Sequence, residues 1–375
     1  MTEQEKAEGL VLKRLSLLNF KNYDEIELEF SPQINCFVGN NGEGKTNLLD
    51  AIYYTAFCKS YFHNVESYNI RHGSDFLTVD ALFGRTEKDE RIQISYKKGE
   101  KKKVRRNKKE YDRISDHVGL IPLVIISPSD KDLITEGSEL RRKFIDGVIS
   151  QTNKVYLDQL MQYNRLLSQR NTLLKYFAAN RTFDAEQLSI YDEQMSALSE
   201  PIFQARQTFI DDFRPIFHDV YRKISGSDES VELEYKSHLN EVDAPERLFE
   251  ESREKDRVLQ FTSKGVHKDD LKFTIQGFPI KKLGSQGQQK TFVIALKIAQ
   301  FEFLKHANGF KPLLLLDDIF DKLDDNRVEA IIRMVNDHRF GQIFITDTHP
   351  ERTEQTVQRV NESYSMFQLK NGKVV

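Results

Sequence analysis

The sequence predicts an α/β fold whose two halves lie far apart in the chain, with a helical subdomain inserted between them. Three observations support this prediction. Short apolar runs typical of buried strands occur near both ends of the 375 residues. Between about 139 and 225 glycines are few and apolar residues recur at helical spacing. From Val258 onward, strand and helix patterns alternate again in the α/β manner.

Composition excludes several classes of protein. With 39% hydrophobic and 30% charged residues, the chain is neither disordered nor fibrous. No stretch approaches the roughly 18 apolar residues of a membrane span, and the polar segment Met1–Gly9 does not have the pattern of a signal peptide. The only two cysteines, Cys36 and Cys58, lie in apolar segments, which predicts free buried thiols and a reducing, cytoplasmic location without a membrane partner.

The first elements are predicted to be strands. Residues 10 to 28 form two short strands around a turn at Asn22, and the apolar run Ile34–Val38 forms a buried strand. A glycine-rich turn and a helix follow. The segment from Leu77 to Tyr111 alternates strand patterns with charged turns, which predicts an antiparallel sheet, and the apolar run from Leu120 to Ile126 is a further strand.

A basic run lies within the predicted antiparallel sheet. Nine lysines or arginines and one glutamate occur from Lys97 to Lys109, although the formal net charge is only −3. Such a run is consistent with a solvated hairpin tip. It is equally consistent with a patch that contacts nucleic-acid phosphates, with salt-sensitive attraction. The candidate DNA contacts are Lys101, Lys102, Lys103, Arg105 and Arg106.

The turn after the strand Ile34–Val38 fits the phosphate-loop pattern G-x-x-x-x-G-K-[ST] at every required position. Glycines allow the loop to fold tightly, so that backbone N–H groups point at phosphates. Lys45 would reach the β- and γ-phosphate oxygens, and Thr46 would offer its hydroxyl to Mg²⁺. The residues expected to bind the nucleotide are Gly39, Asn40, Asn41, Gly42, Glu43, Gly44, Lys45 and Thr46.

Two carboxylates follow an apolar run near the other end of the chain. The four leucines before Asp317 and Asp318 predict a buried strand that ends in acids. Asp317 would hold the metal, and Asp318 is suited to orient or deprotonate an attacking water. The distance in sequence between these acids and Lys45 indicates that a large segment is inserted between two halves of one site.

The inserted segment is predicted to be a helical subdomain. We expect three regions: an N-terminal lobe over 1–138, a helical lid over 139–257 and a C-terminal lobe over 258–375. The alternative is that the helices are peripheral elements of a single domain. A first helix has an apolar face, and a second helix follows it. The first face comprises Leu157, Leu160, Met161, Asn164, Leu167 and Leu174.

A third motif lies about thirty residues before the acid pair. Ser285-Gln286-Gly287-Gln288 precedes a helical pattern, and Asp321–Asp324 follows the acids. As an isolated feature, Ser285 would be a helix N-cap. Together with the phosphate loop and the acid pair, the segment resembles the Ser-x-Gly-Gln signature of ABC-type ATPases, and 321–324 resembles their D-loop.

Further segments resemble the RecF family within this class. They include the opening Asn19–Tyr23, Ser127–Asp130, Arg141–Asp146 and Gly265–Leu271, so the resemblance extends over nearly the whole chain. SMC proteins insert hundreds of residues of heptad coiled coil, for which this chain has no room. The resemblance implies an ABC-type ATPase head: a mixed sheet with a phosphate-loop helix, an antiparallel β subdomain and a helical lid.

The resemblance also implies a mechanism. In the family, the signature serine contacts the γ-phosphate that a second subunit holds. Ser285, Gly287 and Gln288 are therefore expected to bind nucleotide in a head-to-tail, ATP-dependent homodimer. The expected catalytic residues are Lys45, Asp318 and Ser285. ATP and Mg²⁺ are the expected cofactors, with weak, DNA-stimulated hydrolysis. The expected partners are double-stranded DNA, single-strand/double-strand junctions, and RecR acting with RecO to place RecA.

Other functions remain as alternatives. They are an ABC/SMC-like ATPase head that does not act in RecA loading, an ATPase subunit of a membrane transporter, and a purely structural protein. The chain also departs from the family pattern. Asp318 stands where most ABC proteins carry glutamate, and either Asp347 or His349 takes the place of the switch histidine. Val266 replaces a common proline. No Q-loop glutamine is evident, and Ser127–Asp130 is only its expected position.

Overall fold

The computed structural model describes residues 9–85, 88–318, 340–359 and 363–375. The chain divides into two compact units. The first comprises Met1–Asp130, Lys223–Gly226 and Lys290–Val375, and the second comprises Lys131–Arg222 and Ser227–Gln289. The N-terminal and C-terminal parts of the chain therefore build one unit together, as the separated motifs predict.

An antiparallel sheet of the first unit has the strand order β2-β1-β4-β5-β6-β7. Buried and exposed residues alternate along its strands, so one face packs into the core and the other meets solvent. Leu17, for example, lies opposite Ile26 on one side and Val79 on the other. The strands are β1 (Val11–Phe20), β2 (Tyr23–Glu29), β4 (Phe76–Arg85), β5 (Lys88–Lys97), β6 (Lys103–Arg106) and β7 (Lys109–Glu110).

The second sheet of this unit has the order β15-β14-β3-β13-β12-β8 and joins strands from both ends of the chain. Every residue of its strands β3, β8, β12 and β13 is buried. The parallel pairing places their carboxyl ends at one edge. The strands are β3 (Ile34–Val38), β8 (Leu123–Ile126), β12 (Leu313–Asp317), β13 (Ile343–Asp347), β14 (Tyr364–Lys370) and β15 (Lys373–Val374).

The helices of the first unit flank this sheet. Helix α1 (Lys45–Phe57) follows β3 and buries the apolar face that the sequence predicts, including Leu48, Leu49 and Ile52. Helix α8 (Gln286–Asn308) begins in the second unit and continues into the first. Helix α9 (Pro350–Gln358) follows β13.

The second unit contains helices and a small antiparallel sheet of order β11-β10-β9. Its strands are β9 (Val231–Lys236), β10 (Asp270–Ile275) and β11 (Phe278–Pro279). Its helices are α2 (Asp132–Thr135), α3 (Ser138–Ile149), α4 (Lys154–Asn180), α5 (Ala185–Ser225), α6 (Pro245–Leu259) and α7 (Ile280–Leu283). Because β10 pairs with β9, residues 258–289 lie in the second unit, whereas the sequence led us to expect them in the C-terminal lobe.

The predicted apolar face of α4 is confirmed as buried only at Leu174. Met161 is 50% exposed, whereas the buried residues are Tyr156, Tyr163, Arg170, Leu174 and Phe177. Arg170 is tolerated in the interior because two of its guanidinium nitrogens are paired: Nε donates to Asp192 at 2.7 Å, and Nη1 donates to Asp256 at 2.8 Å and to Thr262 at 2.9 Å, whereas Nη2 has no partner among the described residues. Pairing of this kind is what makes a buried charge tolerable.

A second buried arginine joins the helices of this unit to the segment before β10. Arg206 donates to the Asp269 carboxylate and to the Val266 carbonyl, both at 2.7 Å. The neighbouring His267 accepts or donates through Nδ1 to the Tyr163 hydroxyl at 2.8 Å. The family-like segment 265–271 is therefore a polar connection inside the second unit.

None of the helices within the described residues is both long and apolar enough to cross a membrane. Cys36 and Cys58 are both free and buried, as the sequence predicts.

Candidate nucleotide-binding site

The phosphate loop connects β3 to α1, as predicted, and two of its glycines are required by close contacts. Gly39 has φ 150°, and a Cβ there would lie 2.5 Å from the Leu369 carbonyl oxygen. Gly44 has φ 97°, and a Cβ there would lie 2.7 Å from the Tyr23 hydroxyl oxygen. Both conformations favour glycine, so the loop can follow this path only with these residues.

Lys45 folds back over the loop. Its Nζ donates to the carbonyl oxygens of Gly39 at 2.7 Å and Asn40 at 2.9 Å. Burial lowers the pKa of Lys45, whereas the carboxylates of Asp318 and Asp317 oppose that shift. The ammonium group is thus hydrogen-bonded to the backbone of the loop, with carboxylates that oppose the effect of burial on its pKa.

Thr46 and Asp317 come together from opposite ends of the chain. The Thr46 hydroxyl donates to Asp317 Oδ1 at 2.9 Å. The Thr346 hydroxyl, at the end of β13, donates to the same oxygen at 2.8 Å. Burial raises the pKa of Asp317, and these two hydrogen bonds oppose the shift. Sequence reasoning missed Thr346; the polar residue ending an otherwise apolar strand was the available signal.

Asp318 is the first residue after β12. Its backbone N–H donates to Thr346 Oγ1 at 2.9 Å, and its φ of 48° lies in the left-handed region. Thr346 therefore contacts both members of the acid pair. The conformation is one that only a few non-glycine residues adopt, among them aspartate.

The segment at the end of β8 contains a buried ion pair where the Q-loop was expected. Lys297 Nζ lies 3.1 Å from Asp130 Oδ1, and the Ser127 N–H donates to Asp130 Oδ2 at 2.7 Å. The Tyr61 hydroxyl also donates to Asp130. With these donors, the Asp130 carboxylate is held within the unit.

The opening segment Asn19–Tyr23 braces the phosphate loop. Tyr23 donates from its hydroxyl to the Gly44 carbonyl at 2.9 Å, and Asn22 Oδ1 accepts from the Asn47 amide at 2.7 Å. The Lys21 ammonium makes an ion pair with Asp50 of α1. These contacts therefore hold the phosphate loop and the first turns of α1 in place.

The two candidates for the switch position have different surroundings. Asp347 is buried and accepts from Arg352 at 2.6 Å, from the Thr353 hydroxyl at 2.7 Å and from the His349 N–H at 3.1 Å. These contacts stabilise the start of α9. The His349 side chain is exposed.

Ser285, Gly287 and Gln288 lie at the start of α8, in the second unit. The Gln288 N–H donates to Ser285 Oγ at 3.1 Å, and the Ser285 N–H donates to Gln288 Oε1 at 2.8 Å. This reciprocal pair is a capping box. The N-cap interpretation of Ser285 is thus part of the structure, and the exposed hydroxyl keeps its own proton for another acceptor. The expected D-loop, 321–324, lies outside the described residues.

The basic run has two kinds of residue. Lys102 pairs with Glu66 at 2.5 Å, and Arg106 pairs with Glu90 at 2.5 Å. Lys101, Lys103 and Arg105 are exposed, and Arg105 makes a solvent-exposed ion pair with Glu110 at 3.3 Å. Of the five predicted DNA contacts, Lys102 and Arg106 therefore make partly buried ion pairs within the first unit, and the other three face solvent.

Comparison with known proteins decides the family. The sequence matches the model described as RecF/RecN/SMC N terminal domain over residues 11–374. The DNA replication and repair protein RecF of Flavobacterium johnsoniae is 56% identical over 358 residues, covering 96% of this chain and 99% of that protein. The chain belongs to the RecF family. This assignment confirms the resemblance seen in the sequence and places the chain among DNA replication and repair proteins.

Solved structures confirm the predicted fold class. A structure of the recombination mediator protein RecF with ATP, from the RecFOR pathway, has a TM-score of 0.90 at 29% identity and covers 100% of this chain and 99% of that chain. The Smc head domain with an extended coiled coil from Pyrococcus furiosus has a TM-score of 0.57 at 17% identity, covering 98% and 96%. This RecF-family chain therefore has the fold of an ABC/SMC-type ATPase head.

Proposed function

We propose that this chain is an ATP-dependent DNA-binding protein of gap repair, in which ATP drives head-to-tail dimerisation and slow hydrolysis releases the dimer. The observation that carries the proposal is the hydrogen bond between Thr46 and Asp317, at 2.9 Å. It joins the phosphate loop to the acid pair in one site. The RecF relative named for DNA replication and repair supports the DNA part.

The donor set at this site fits Mg²⁺. Mg²⁺ prefers hard oxygen ligands and keeps several waters, and a hydroxyl and a carboxylate on neighbouring elements supply such oxygens. Thr46 and Asp317 would hold the ion. When bound, it would neutralise charge on the β- and γ-phosphate oxygens.

The remaining residues have separate tasks. Lys45 would exchange the carbonyl oxygens of Gly39 and Asn40 for phosphate oxygens, since its ammonium is already hydrogen-bonded to the backbone of the loop. Asp318 would orient the attacking water and accept its proton. The Ser285 hydroxyl of a second copy would donate a hydrogen bond to the γ-phosphate, close to the positive end of the α8 dipole.

The exposed basic residues Lys101, Lys103 and Arg105 would contact duplex DNA or a single-strand/double-strand junction. RecR, acting with RecO, is the proposed protein partner, and placement of RecA is the proposed outcome. The neighbouring structure from the RecFOR pathway supports this part of the proposal.

The test is steady-state ATP hydrolysis with Mg²⁺, with and without gapped duplex DNA, for the wild type and Lys45→Met. We expect slow hydrolysis that rises with DNA and is lost in the variant. Hydrolysis indifferent to every DNA would contradict the DNA-repair role and favour an ATPase head that does not act in RecA loading. Hydrolysis that persists in Lys45→Met would contradict the assignment of the site.

A further inference from the structure

A chain of hydrogen bonds leads from the signature segment to a glutamate outside it. Gln288 Oε1 accepts from the Ser285 N–H at 2.8 Å, and Gln288 Nε2 donates to Glu229 Oε1 at 2.7 Å. Glu229 Oε2 accepts from the Tyr221 hydroxyl at 2.8 Å. All four residues lie in the second unit.

The geometry of this chain is more restrictive than a capping box alone. In a capping box, the glutamine side chain bonds only to the first residue of the turn. Here its amide is held at both ends, so its rotamer is fixed between the Ser285 backbone and a carboxylate. Hydrogen bonds to an ionised acceptor are shorter and stronger than neutral ones, and bonds in series polarise one another.

Glu229 itself is anchored. It lies two residues before β9, and the Tyr221 ring that donates to it is 1% exposed at the end of α5. A buried ring of this kind has little freedom to move. The position of the Ser285 turn is therefore defined by α5 and β9 as well as by α8.

We propose that Glu229 is a positioning residue for the signature turn: through Gln288 it holds Ser285 in the orientation that receives the γ-phosphate of a second copy. This rests on the proposed head-to-tail dimer. A carboxylate would repel a phosphate at direct contact, so Glu229 acts only through the neutral amide of Gln288 and is not itself a nucleotide ligand.

The test uses three variants of the full chain. Glu229→Ala removes the acceptor, and Glu229→Gln keeps an oxygen acceptor in the same place. Asp228→Ala is the matched control, because it removes one negative charge from the adjacent, exposed position. Self-association is measured by sedimentation velocity with Mg²⁺ and AMP-PNP. Binding of a fluorescent ATP analogue at low protein concentration and the thermal midpoint are measured in parallel.

We expect self-association of Glu229→Ala to be about tenfold weaker, as for loss of a hydrogen bond to a charged group, with Glu229→Gln within about threefold of the wild type. Asp228→Ala should equal the wild type. Nucleotide affinity of the monomer should be unchanged in all variants, since the phosphate loop lies in the first unit.

Two results would overturn the role of Glu229 while leaving the proposed dimer intact. One is equal self-association of Glu229→Ala and the wild type. The other is a loss of self-association that Glu229→Gln does not restore and that is accompanied by a lower thermal midpoint. If the wild type itself does not self-associate with AMP-PNP, the proposed dimer is wrong, and the role of Glu229 is overturned together with it.

Discussion

The hydroxyl of Thr46 donates to Asp317 at 2.9 Å although 271 positions separate the two residues. Thr46 is the second residue of the helix α1, and Asp317 ends a strand from the C-terminal part of the chain. Because β3 and β12 both flank β13 in parallel, their carboxyl ends meet at one edge of the sheet. The sheet topology therefore assembles the site.

Replacing Thr46 by valine is expected to weaken binding of Mg²⁺–nucleotide by about tenfold or more, since the proposed metal ligand is lost while the side-chain shape is kept. Binding of nucleotide in EDTA should change little. Both affinities can be measured by titration with a fluorescent ATP analogue. Thr55→Val, on the same helix, is the control, because the Thr55 hydroxyl donates to the Ile52 carbonyl within that helix. Equal Mg²⁺ dependence in Thr46→Val and the wild type would contradict the assignment.

Gly44→Ala is expected to abolish nucleotide binding and to lower the free energy of unfolding by about 1–3 kcal/mol. The alanine would require φ 97° and would place its Cβ 2.3 Å from Asn22 Nδ2 and 2.7 Å from the Tyr23 hydroxyl oxygen. Gly42→Ala is the matched variant, since Gly42 has φ 86° but open space around it. Urea unfolding and nucleotide titration of both variants separate strain from collision. Equal effects of the two would show that the contact with Tyr23 does not matter.

The local signals in the sequence predict well the turn between β3 and α1 and the strand that ends at Asp317. A glycine pattern and four leucines before two acids each specify a turn and a strand end without reference to other residues. Thr346, a polar residue near the end of an apolar strand, also gives a local signal, but its role cannot be inferred from that signal, because the role depends on strand β13 lying between β3 and β12. The contact of Glu229 could not be predicted for the same reason, because it exists only where the folded chain brings Glu229 within hydrogen-bond distance of Gln288.

The helical unit shows the limit of periodicity. Apolar spacing on α4 predicts a leucine face, yet the buried positions include Tyr156, Tyr163 and Arg170. Periodicity assumes that the interior is apolar, whereas this interior is partly a network of paired charges. Arg170 is tolerated there because Asp192 and Asp256, from other helices, accept hydrogen bonds from two of its nitrogens. Such partners cannot be inferred from one helix.

The exposed part of the basic run is expected to carry DNA affinity. Replacing Lys101, Lys103 and Arg105 together by alanine should reduce the slope of log affinity against log salt by about 2 to 3, because each phosphate contact contributes about 0.9. Fluorescence anisotropy with gapped duplex DNA, at several salt concentrations and with AMP-PNP, measures this slope.

Lys102→Ala and Arg106→Ala provide the comparison for that surface. They break the ion pairs with Glu66 and Glu90, so thermal stability should fall while the salt slope stays near that of the wild type. A slope that falls as much in these two variants as in the triple variant would show that DNA binds elsewhere.

His267 is expected to make stability depend on pH. Burial, with Lys268 and Arg142 adding to it, lowers the pKa of His267 to about 4, although the hydrogen bond to the Thr262 carbonyl opposes the shift. The unfolded chain, with an ordinary pKa near 6.5, takes up a proton first as pH falls. The contribution of His267 to the free energy of unfolding is therefore fully present above about pH 6.5 and is lost as the pH falls to about 4. This contribution is at most about 3 kcal/mol, and it is smaller because water reaches the half-buried ring.

Urea unfolding at pH 7.5 and 4.5 measures this contribution. The wild type should lose more stability between the two values than His267→Gln does. His72→Gln, which removes an exposed histidine, should behave as the wild type. Parallel losses in the wild type and His267→Gln would mean that the ring is not held neutral in the folded chain.

The strand order also bears on how the protein is made. β3 pairs only with β13 and β14, strands that a ribosome produces roughly 300 residues later. At about 5–20 residues per second, β3 waits roughly 15 to 60 s for its neighbours. The antiparallel sheet of β1, β2, β4, β5, β6 and β7 needs no such wait. Nascent chains that end before β12 therefore carry the whole phosphate loop without the strand that supplies Asp317, so the complete site can form only after the C-terminal strands β12 and β13 have been made.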